Sequence, residues 1–334
     1  MVTVDFQPSD VGSVLGNLYR LTRPIATGGM GTVYEAKVIG SKKRVAIKVM
    51  AIELSQDREA LARFRREADV TSSLGHPNIV RVHEFGMSDS GQPYLVMEYL
   101  EGEDLDQRLE KDPRLPMGQA FRLVQQVAAA LSVAHEKGIV HRDLKPANIF
   151  MVTRSGKKDL AKILDFGISK VQSGTINLTH GRTVLGTPYY MSPEQASARS
   201  SEVDHRTDQW ALACIAWQIL CGECPFQGDD LYALTYQLTF ANPPPLAPLV
   251  PGLPSEVESV LLRALAKDKN QRFPSIAEFA RALREAAGST HDEDRAGWRE
   301  WLRTRTRGLF GGFLCLVVSV LGKLRDPRLL ARRP

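Results

Sequence analysis

The sequence predicts an α+β fold of two lobes, a small β-rich N-terminal lobe and a larger, mostly helical C-terminal lobe. Two observations carry this prediction. From Tyr19 to about residue 100, short β-branched and aromatic runs of strand length surround a single amphipathic helix. From Met117 onward, apolar residues recur every three or four positions, which is the period of a helix. We therefore expect the N-terminal lobe at about 19–97, a connector at about 98–104 and the C-terminal lobe at about 105–287.

Apolar runs mark the elements of the N-terminal lobe. Residues 45–49 (Val-Ala-Ile-Lys-Val) and 94–97 (Tyr-Leu-Val-Met) are rich in β-branched and aromatic side chains, which favours strands. Between them, residues 58–74 carry apolar side chains at spacings of three and four, which predicts an amphipathic helix. Gly75 and Pro77 follow this segment, so the helix is predicted to end there.

The C-terminal lobe begins with a long helix, whose wide apolar stripe runs from Met117 to a predicted end at Gly138. An apolar hairpin is predicted at 149–164, with its turn in the polar residues 154–158. Three further helices are predicted from their apolar spacing, at 209–220, 256–266 and 276–287.

The composition is that of a globular chain of 334 residues, with 43% hydrophobic and 24% charged residues. It excludes wholesale disorder and a polytopic membrane protein. Residues 289–334 hold ten of the 43 Lys and Arg residues and five of the 38 Asp and Glu residues, so the rest of the chain holds 33 of each.

Four cysteines are too few for a disulfide framework, and the first ten residues lack signal-peptide features, so we expect a cytoplasmic body.

A glycine-rich segment at 25–33 has the sequence Ile-Ala-Thr-Gly-Gly-Met-Gly-Thr-Val. Glycines let the backbone approach phosphate oxygens closely and present N–H donors without obstruction. On its own, the segment is explained equally well by a plain glycine-rich turn. Because residues 33–36 continue as a strand pattern and do not open a helix, the dinucleotide-binding fingerprint is excluded.

Three charged motifs follow the glycine-rich segment. Lys48 lies in an apolar strand, where it is either a surface lysine or a phosphate ligand held by Glu67 of the next predicted helix. Residues 141–148 have the sequence His-Arg-Asp-Leu-Lys-Pro-Ala-Asn and follow the long helix. Residues 165–167 are Asp-Phe-Gly and follow the hairpin. Each motif is degenerate, but their order and spacing together are highly specific.

This set of motifs resembles that of the eukaryotic-like serine/threonine protein kinases, and within them the chain is similar to the bacterial receptor-type kinases. The bacterial likeness is carried by the segments 28–31, 74–80 and 186–194. The resemblance covers residues 19–287 and implies the two-lobed protein kinase fold. Residues 1–18 are then an N-terminal extension, and residues 288–334 are a basic tail.

The resemblance implies ATP and Mg²⁺ as cofactors, with Mn²⁺ as a second candidate. The positions implied to bind ATP are Ile25, Ala26, Thr27, Gly28, Gly29, Met30, Gly31, Thr32, Val33, Ala46, Lys48, Met97, Glu98, Leu100 and Phe150. Met97 is the implied gatekeeper at the back of the pocket, and Phe150 is its floor. Backbone groups of Glu98 and Leu100 are implied to hydrogen-bond the edge of adenine. Ala26 stands where the family has its first loop glycine, and we expect a modest effect.

Catalytic and metal-binding roles are implied in the same way. The implied catalytic residues are Asp143, Lys145, Lys48 and Glu67, and the implied metal ligands are Asn148 and Asp165. Lys48, paired with Glu67, would bind the α- and β-phosphates. The oxygens of Asn148 and Asp165 suit hard Mg²⁺. Asp143 would accept the proton of the substrate hydroxyl or orient that hydroxyl, while Lys145 would neutralise charge on the γ-phosphate.

The substrate class is implied by two positions. Lys145, two residues after Asp143, resembles the lysine of serine/threonine kinases rather than tyrosine kinases. Thr187, directly before Pro188, resembles the same class. The expected partners are therefore proteins with Ser or Thr acceptors, and the expected role is signal transduction.

The activation segment, residues 165–194, contains the candidate phosphosites. Arg142 precedes the catalytic aspartate, and in the family such an arginine is neutralised by a phosphate on this segment. We favour Thr179 and Thr183 as autophosphorylation sites, and the alternative is that they are unmodified loop residues. Autophosphorylation in trans makes self-association a further candidate property.

Other charged and thiol residues are expected to be structural. The resemblance implies that Glu194 pairs with Arg272 and that Asp208 holds the backbone of the catalytic loop, because buried charges need partners. Cys221 and Cys224 form a Cys-x-x-Cys pair that is either structural or a redox or zinc site. No second pair has zinc-site spacing, so we favour the structural interpretation.

The basic tail contains an uncharged run at 308–322, with arginines on both sides. Fifteen helical residues reach about 22 Å, which is short of the roughly 30 Å hydrocarbon core of a membrane. We favour attachment to the inner face of the cell membrane through 308–322, by spanning or by lying in the interface, over a docking helix. Nucleic-acid binding is not expected, since no motif supports it.

Two other functions compete with an active kinase. A pseudokinase would bind nucleotide and signal without phosphoryl transfer, but a scaffold has no chemical need for the complete set of Lys48, Asp143, Asn148 and Asp165. A membrane adaptor would act through the tail. We therefore predict an active, ATP- and Mg²⁺-dependent protein serine/threonine kinase.

Overall fold

The computed structural model describes residues 10–154, 157–166, 188–197 and 202–288, and it confirms an α+β fold of two lobes. The N-terminal lobe is an antiparallel sheet with one α-helix. The strands are β1 (Val14–Leu15), β2 (Tyr19–Gly28), β3 (Gly31–Val38), β4 (Arg44–Met50), β5 (Val82–Met87) and β6 (Pro93–Glu98), and the helix is α1 (Arg58–Ser73). The strands lie in the order β1-β2-β3-β4-β6-β5.

Strand β4 sends its side chains alternately to two separate cores. Ile47 and Val49 pack in one apolar cluster, together with residues of β2 and β3. Ala46 and Met50 pack with the other cluster, which includes the buried face of α1. Because successive strand residues point to opposite faces, Lys48 shares the face that α1 covers.

Asp57 is the N-cap of helix α1, and its carboxylate accepts hydrogen bonds from the backbone N–H groups of Glu59 and Ala60. Its buried side includes Phe64 and, one turn later, Glu67. The apolar spacing that predicts the helix therefore also turns Glu67 toward the sheet, where Lys48 lies.

The C-terminal lobe contains the remaining described helices and a three-stranded sheet. The helices are α2 (Leu105–Lys111), α3 (Met117–Glu136), α4 (Pro193–Ala196), α5 (Arg206–Cys221), α6 (Leu231–Phe240), α7 (Ser255–Ala264) and α8 (Ile276–Ala286). The strands are β7 (Gly102–Asp104), β8 (Ile149–Arg154) and β9 (Lys157–Ile163), in the order β7-β8-β9. The hairpin predicted at 149–164 is β8 and β9.

Helix α5 lies at the centre of this lobe and is buried on every side, with Trp210 and Trp217 inaccessible. It begins at Arg206, three residues before the predicted start at residue 209. The first turn is polar but buried, and its polar groups find partners: Gln209 Nε2, for example, donates to Phe273 O at 3.0 Å. Apolar spacing could not reveal a turn whose burial depends on hydrogen bonds to distant segments.

Helix α6 is not predicted by the sequence pattern. Leu234 and Leu238 are its buried residues, while Tyr232, Tyr236 and Phe240 lie on its exposed surface. Because apolar side chains occur on both faces, no single stripe marks the helix. The short elements β1, β5, β7 and α2 are not predicted either, because no clear apolar period marks them in the sequence.

The chain divides into two units, Met1–Ala287 and Gly288–Pro334. Of the second unit only Gly288 is described, so the segment 308–322 lies outside the described residues. Within the part of the chain that is described, no helix combines the length and the hydropathy that crossing a membrane requires.

A buried ion pair connects α4 to the loop before α8, as the resemblance implies. Arg272 donates from both terminal nitrogens to Glu194, at 2.9 Å to Oε1 and 2.8 Å to Oε2. Thr207 Oγ1 also donates to Glu194 Oε1, at 2.9 Å. Burial favours the neutral carboxyl, but the bidentate Arg272 outweighs it and lowers the pKa of Glu194.

We predict that Arg272→Met lowers the free energy of unfolding by about 3–5 kcal/mol, because Glu194 is then buried without its counter-charge. Chemical denaturation followed by tryptophan fluorescence measures the change. Arg281→Met is the matched control, since Arg281 lies on the exposed face of α8 and should change stability by no more than about 0.5 kcal/mol. A loss for Arg272→Met no larger than that of the control would contradict the prediction.

Candidate functional site

The glycine-rich segment forms the turn between β2 and β3, where Gly28 lies opposite Gly31. Two of its glycines differ from the third in what surrounds them. A Cβ atom added at Gly28 or Gly29 would meet nothing within 4 Å, so packing within the protein does not require glycine there. A Cβ atom at Gly31 would lie 2.0 Å from Val49 O, and its φ of +146° also excludes most side chains. Gly31 is thus needed for the approach of β3 to β4, whereas Gly28 and Gly29 leave open backbone for a ligand.

The residues implied to surround adenine lie on strands of both sheets. Ala46 of β4 is opposite Met97 of β6, and both pack in or against the core cluster under α1. Glu98 is the last residue of β6. Phe150 belongs to β8 and is only partly buried. Val33 is partly buried and Ile25 is 44% exposed, so these strands retain accessible apolar surface.

Lys48 makes the ion pair with Glu67 that the sequence predicts. Its Nζ lies 2.8 Å from Glu67 Oε1 and 3.4 Å from Asp165 Oδ2. Burial disfavours the charge on Lys48, but the two carboxylates outweigh it and raise the pKa of this ammonium. Burial, together with the nearby Asp165, raises the pKa of Glu67 to about 7. Because two carboxylates surround the single ammonium of Lys48, the binding of a further cation beside them is favourable.

The segment 141–148 presents the other implied catalytic residues. Lys145 Nζ lies 3.4 Å from Asp143 Oδ2. Asn148 Nδ2 donates to Asp143 O at 2.8 Å, so its amide oxygen is the atom that can bind a cation. Leu164 N donates to Asn148 O at 3.0 Å, and Asp165 directly follows Leu164. The two implied metal ligands are therefore tied together by backbone.

The carboxylate of Asp208, at the start of α5, holds this segment in place. It accepts hydrogen bonds from the backbone N–H groups of His141, at 2.8 Å, and Arg142, at 2.9 Å. His135 Nε2 is a third partner, at 2.7 Å. Arg142 has a φ of +65°, a left-handed conformation that costs about 1–3 kcal/mol in a residue other than glycine. The bonds to Asp208 offset that strain, as the implied role of this residue requires.

The described residues fit a divalent metal of the magnesium type. No group of three or more His, Cys, Asp or Glu residues with metal-binding geometry occurs in the described ranges. Asn148 and Asp165 instead offer two oxygen ligands, which is typical of Mg²⁺ sites that complete their coordination with phosphate and water. The surplus of negative charge around Lys48 supports the same conclusion.

The candidate phosphosites Thr179 and Thr183 lie outside the described residues. The same is true of Gly167, from the Asp-Phe-Gly motif, and of Thr187, which indicates the substrate class. The thiols of the Cys-x-x-Cys pair are described. Burial raises the pKa of Cys221, and it raises the pKa of Cys224 to about 11, so both are protonated thiols near neutral pH. Protonated thiols are poor nucleophiles and metal ligands, which supports the structural interpretation.

Some residues that support the site had no signal in the sequence. Gln195 Nε2 donates to Arg142 O at 2.8 Å and so connects α4 to the catalytic segment. Gln126 Oε1 accepts from Asn78 Nδ2 at 2.8 Å and from Ala161 N at 2.9 Å. Glutamines are common on helix surfaces, and only the tertiary structure shows which of them bridge separate segments.

Comparison with known proteins gives a consistent result. The family model described as the protein kinase domain matches residues 19–282. The chain is 40% identical over 277 residues to serine/threonine-protein kinase pkn3 of Myxococcus xanthus, covering 81% of this chain and 50% of that relative. It is 37% identical over 268 residues to PknB of Mycobacterium leprae, covering 79% and 42%. The chain thus spans half or less of the length of these curated relatives.

A solved structure is similar over most of the chain. The crystal structure of the PknI kinase domain of Mycobacterium tuberculosis superposes with a TM-score of 0.63 and 33% sequence identity. The match covers 83% of this chain and 99% of that domain. The two-lobed architecture is therefore shared with a kinase domain.

We predict that alanine destabilises the protein at one glycine of the β2–β3 turn but not at another. Gly31→Ala should destabilise the protein by about 1–3 kcal/mol, because the new methyl group collides with Val49 O. Gly29→Ala should change stability by no more than about 0.5 kcal/mol, since its Cβ atom meets nothing. Thermal and chemical unfolding of the two variants measure the difference. Equal stability of the two variants would contradict this account of the turn.

Proposed function

Because the chain belongs to the protein kinase domain family, we propose that it transfers the γ-phosphoryl group of ATP to serine and threonine hydroxyls of proteins. The observation that carries this proposal is that two sets of implied site residues are connected through Asp165, and we propose that they line one cleft. Lys48 and Glu67 come from the N-terminal lobe and meet Asp165. Asp143 and its neighbour Lys145 come from the catalytic segment, which backbone bonds tie to the strand before Asp165.

In this proposal the N-terminal lobe binds and orients ATP. The backbone N–H groups near Gly28 and Gly29 cover the phosphates, and Lys48 binds the α- and β-phosphates while Glu67 keeps it in place. Ala46, Met97 and Phe150 supply the apolar surface for adenine. The family uses ATP and a divalent metal, and we propose Mg²⁺, with Mn²⁺ as a substitute, held by Asn148 and Asp165. When bound, the metal neutralises phosphate charge.

The catalytic segment acts on the acceptor hydroxyl. Asp143 accepts the proton of the hydroxyl or orients it, and Lys145, at 3.4 Å from that carboxylate, balances negative charge at the transferred group. Most of the rate then comes from positioning and charge stabilisation, because the protein forms no covalent bond to the phosphoryl group. A pseudokinase would not need Asp143, Asn148 and Asp165 together.

Regulation and attachment extend the proposal beyond the described residues. Thr179 and Thr183 are the proposed autophosphorylation sites, and a phosphate there would neutralise Arg142 next to Asp143. Phosphorylation of one copy by another would require transient self-association.

The tail, residues 288–334, is proposed to bring the catalytic domain, residues 19–287, to the inner face of the cell membrane through 308–322.

We predict that Asp143→Asn reduces phosphate incorporation into a generic basic protein substrate by about 10²–10⁴-fold, because the amide cannot accept the hydroxyl proton. Radiolabelled ATP with Mg²⁺ measures the rate. Asp89→Asn, at an exposed turn position, is the matched control and should retain wild-type activity.

Equal background incorporation by the wild type and Asp143→Asn, with Mg·ATP still stabilising the wild type against heat, would favour a pseudokinase.

Mass spectrometry of the wild-type product locates the modified residues. Phosphate absent from both Thr179 and Thr183 would contradict the proposed autophosphorylation sites.

We predict that the full chain sediments with anionic lipid vesicles and that the chain shortened after Gly288 does not. The shortened chain loses the uncharged run 308–322 and ten Lys and Arg residues, which supply apolar burial and attraction to anionic lipid. Sedimentation at two salt concentrations separates the two contributions. Identical partition of the two chains would contradict membrane attachment.

A further inference from the structure

Lys162 of β9 is a buried lysine, 8% exposed, that has no role in the proposed reaction. Its Nζ donates to Glu98 Oε1 at 2.6 Å and to Ile79 O at 3.2 Å. A charge in this environment is retained only with a close counter-charge, since desolvation opposes it. The ion pair therefore connects the last residue of β6 to the strand that precedes Asp165.

The same two strands are bridged by the backbone of residues 78–81. On the β6 side, Glu98 N donates to Arg81 O at 2.9 Å, and Arg81 N donates to Glu98 Oε1 at 2.8 Å. On the β9 side, Val80 N donates to Ile163 O at 2.9 Å. Glu98 Oε1 thus accepts both Arg81 N–H and Lys162 Nζ, so one carboxylate oxygen joins all three segments.

Each end of this bridge lies in or close in sequence to one end of the proposed ATP site. Glu98 carries backbone groups proposed to hydrogen-bond the edge of adenine, whereas Asp165, three residues after Lys162, is a proposed metal ligand. Phe150, the proposed floor of the adenine pocket, lies directly opposite Lys162 in the β8–β9 pairing. Paired residues of antiparallel strands share a face, so Lys162 and Phe150 lie on the same side of the sheet.

We propose that Lys162 and Glu98 are a positioning pair that sets the distance between the adenine-binding edge and the metal-binding strand. With the pair intact, a nucleotide can engage both ends at once, because the separation is already correct before binding. Without the pair, each end still binds its own part of the ligand. The separation between the two ends then no longer matches the length of the nucleotide. This role rests on the proposed function, since it assumes that ATP occupies the cleft.

The test compares Mg·ATP, which engages both ends, with adenosine, which lacks phosphates and engages only the adenine edge. Displacement of a fluorescent ATP analogue from the full chain measures both affinities. Lys162→Met should weaken Mg·ATP binding by about tenfold, a typical size for coupling between two sites. Adenosine binding should change by less than about twofold.

Glu98→Gln is the second variant, because it removes the charge but keeps an oxygen to accept Arg81 N–H. Glu98→Gln should also weaken the binding of Mg·ATP but not that of adenosine. If Lys162→Met does not fold, Glu98→Gln alone tests the positioning role. Lys111→Met is the matched control: Lys111 forms an exposed ion pair with Glu103, and its removal should leave both affinities unchanged.

An equal loss for Mg·ATP and adenosine in the folded variants would assign the pair a general structural role and overturn the positioning role. Unchanged affinity for both ligands would overturn it as well. A wild-type chain that binds neither ligand would contradict the proposed function itself, which distinguishes that failure from the failure of the positioning pair.

Discussion

The rest of the site depends on the buried carboxylate of Asp208. It binds two consecutive backbone N–H groups, those of His141 and Arg142, and so holds the segment 141–148 against α5. Arg142 adopts a left-handed conformation that the chain alone would avoid. His141 is buried beneath this turn, where its Nδ1 accepts from Asp143 N at 3.3 Å, and burial lowers the pKa of its imidazole. A single charge inside the C-terminal lobe thus fixes the backbone of the two residues that precede Asp143.

Unbalanced charge around Lys48 favours the binding of a cation at this site. Lys48 is shared by Glu67 and Asp165, so two carboxylates surround one ammonium. In a partly buried site such a surplus is costly until a cation arrives. Asp165 and Asn148 would hold the proposed divalent ion, which would supply the positive charge that this balance lacks. The same charges that hold the lobes in relation to one another therefore also prepare the site for its ligand.

Short-range pattern predicted the larger elements because the apolar period that marks their buried faces can be read from the local sequence. The spacing of apolar residues placed α1 and α3 to within a few residues, and the cap at Asp57 explains why α1 begins where it does. The same reasoning missed α6, whose exposed aromatic residues Tyr232, Tyr236 and Phe240 obscure its buried face. That helix is recognisable only from its packing against the lobe.

By itself, the sequence determined the chemistry available to this protein: the glycine-rich turn, Lys48, Asp143 and Asp165 follow one another in an order whose spacing is specific. Only the tertiary structure decided how those groups meet. It showed that Gly31 is needed for packing against β4, unlike the open backbone at Gly28 and Gly29. It also revealed the bridge from Lys162 to Glu98, because residues 64 positions apart leave no periodic trace in a chain. The residue types are local information, whereas burial and partner choice depend on the whole fold.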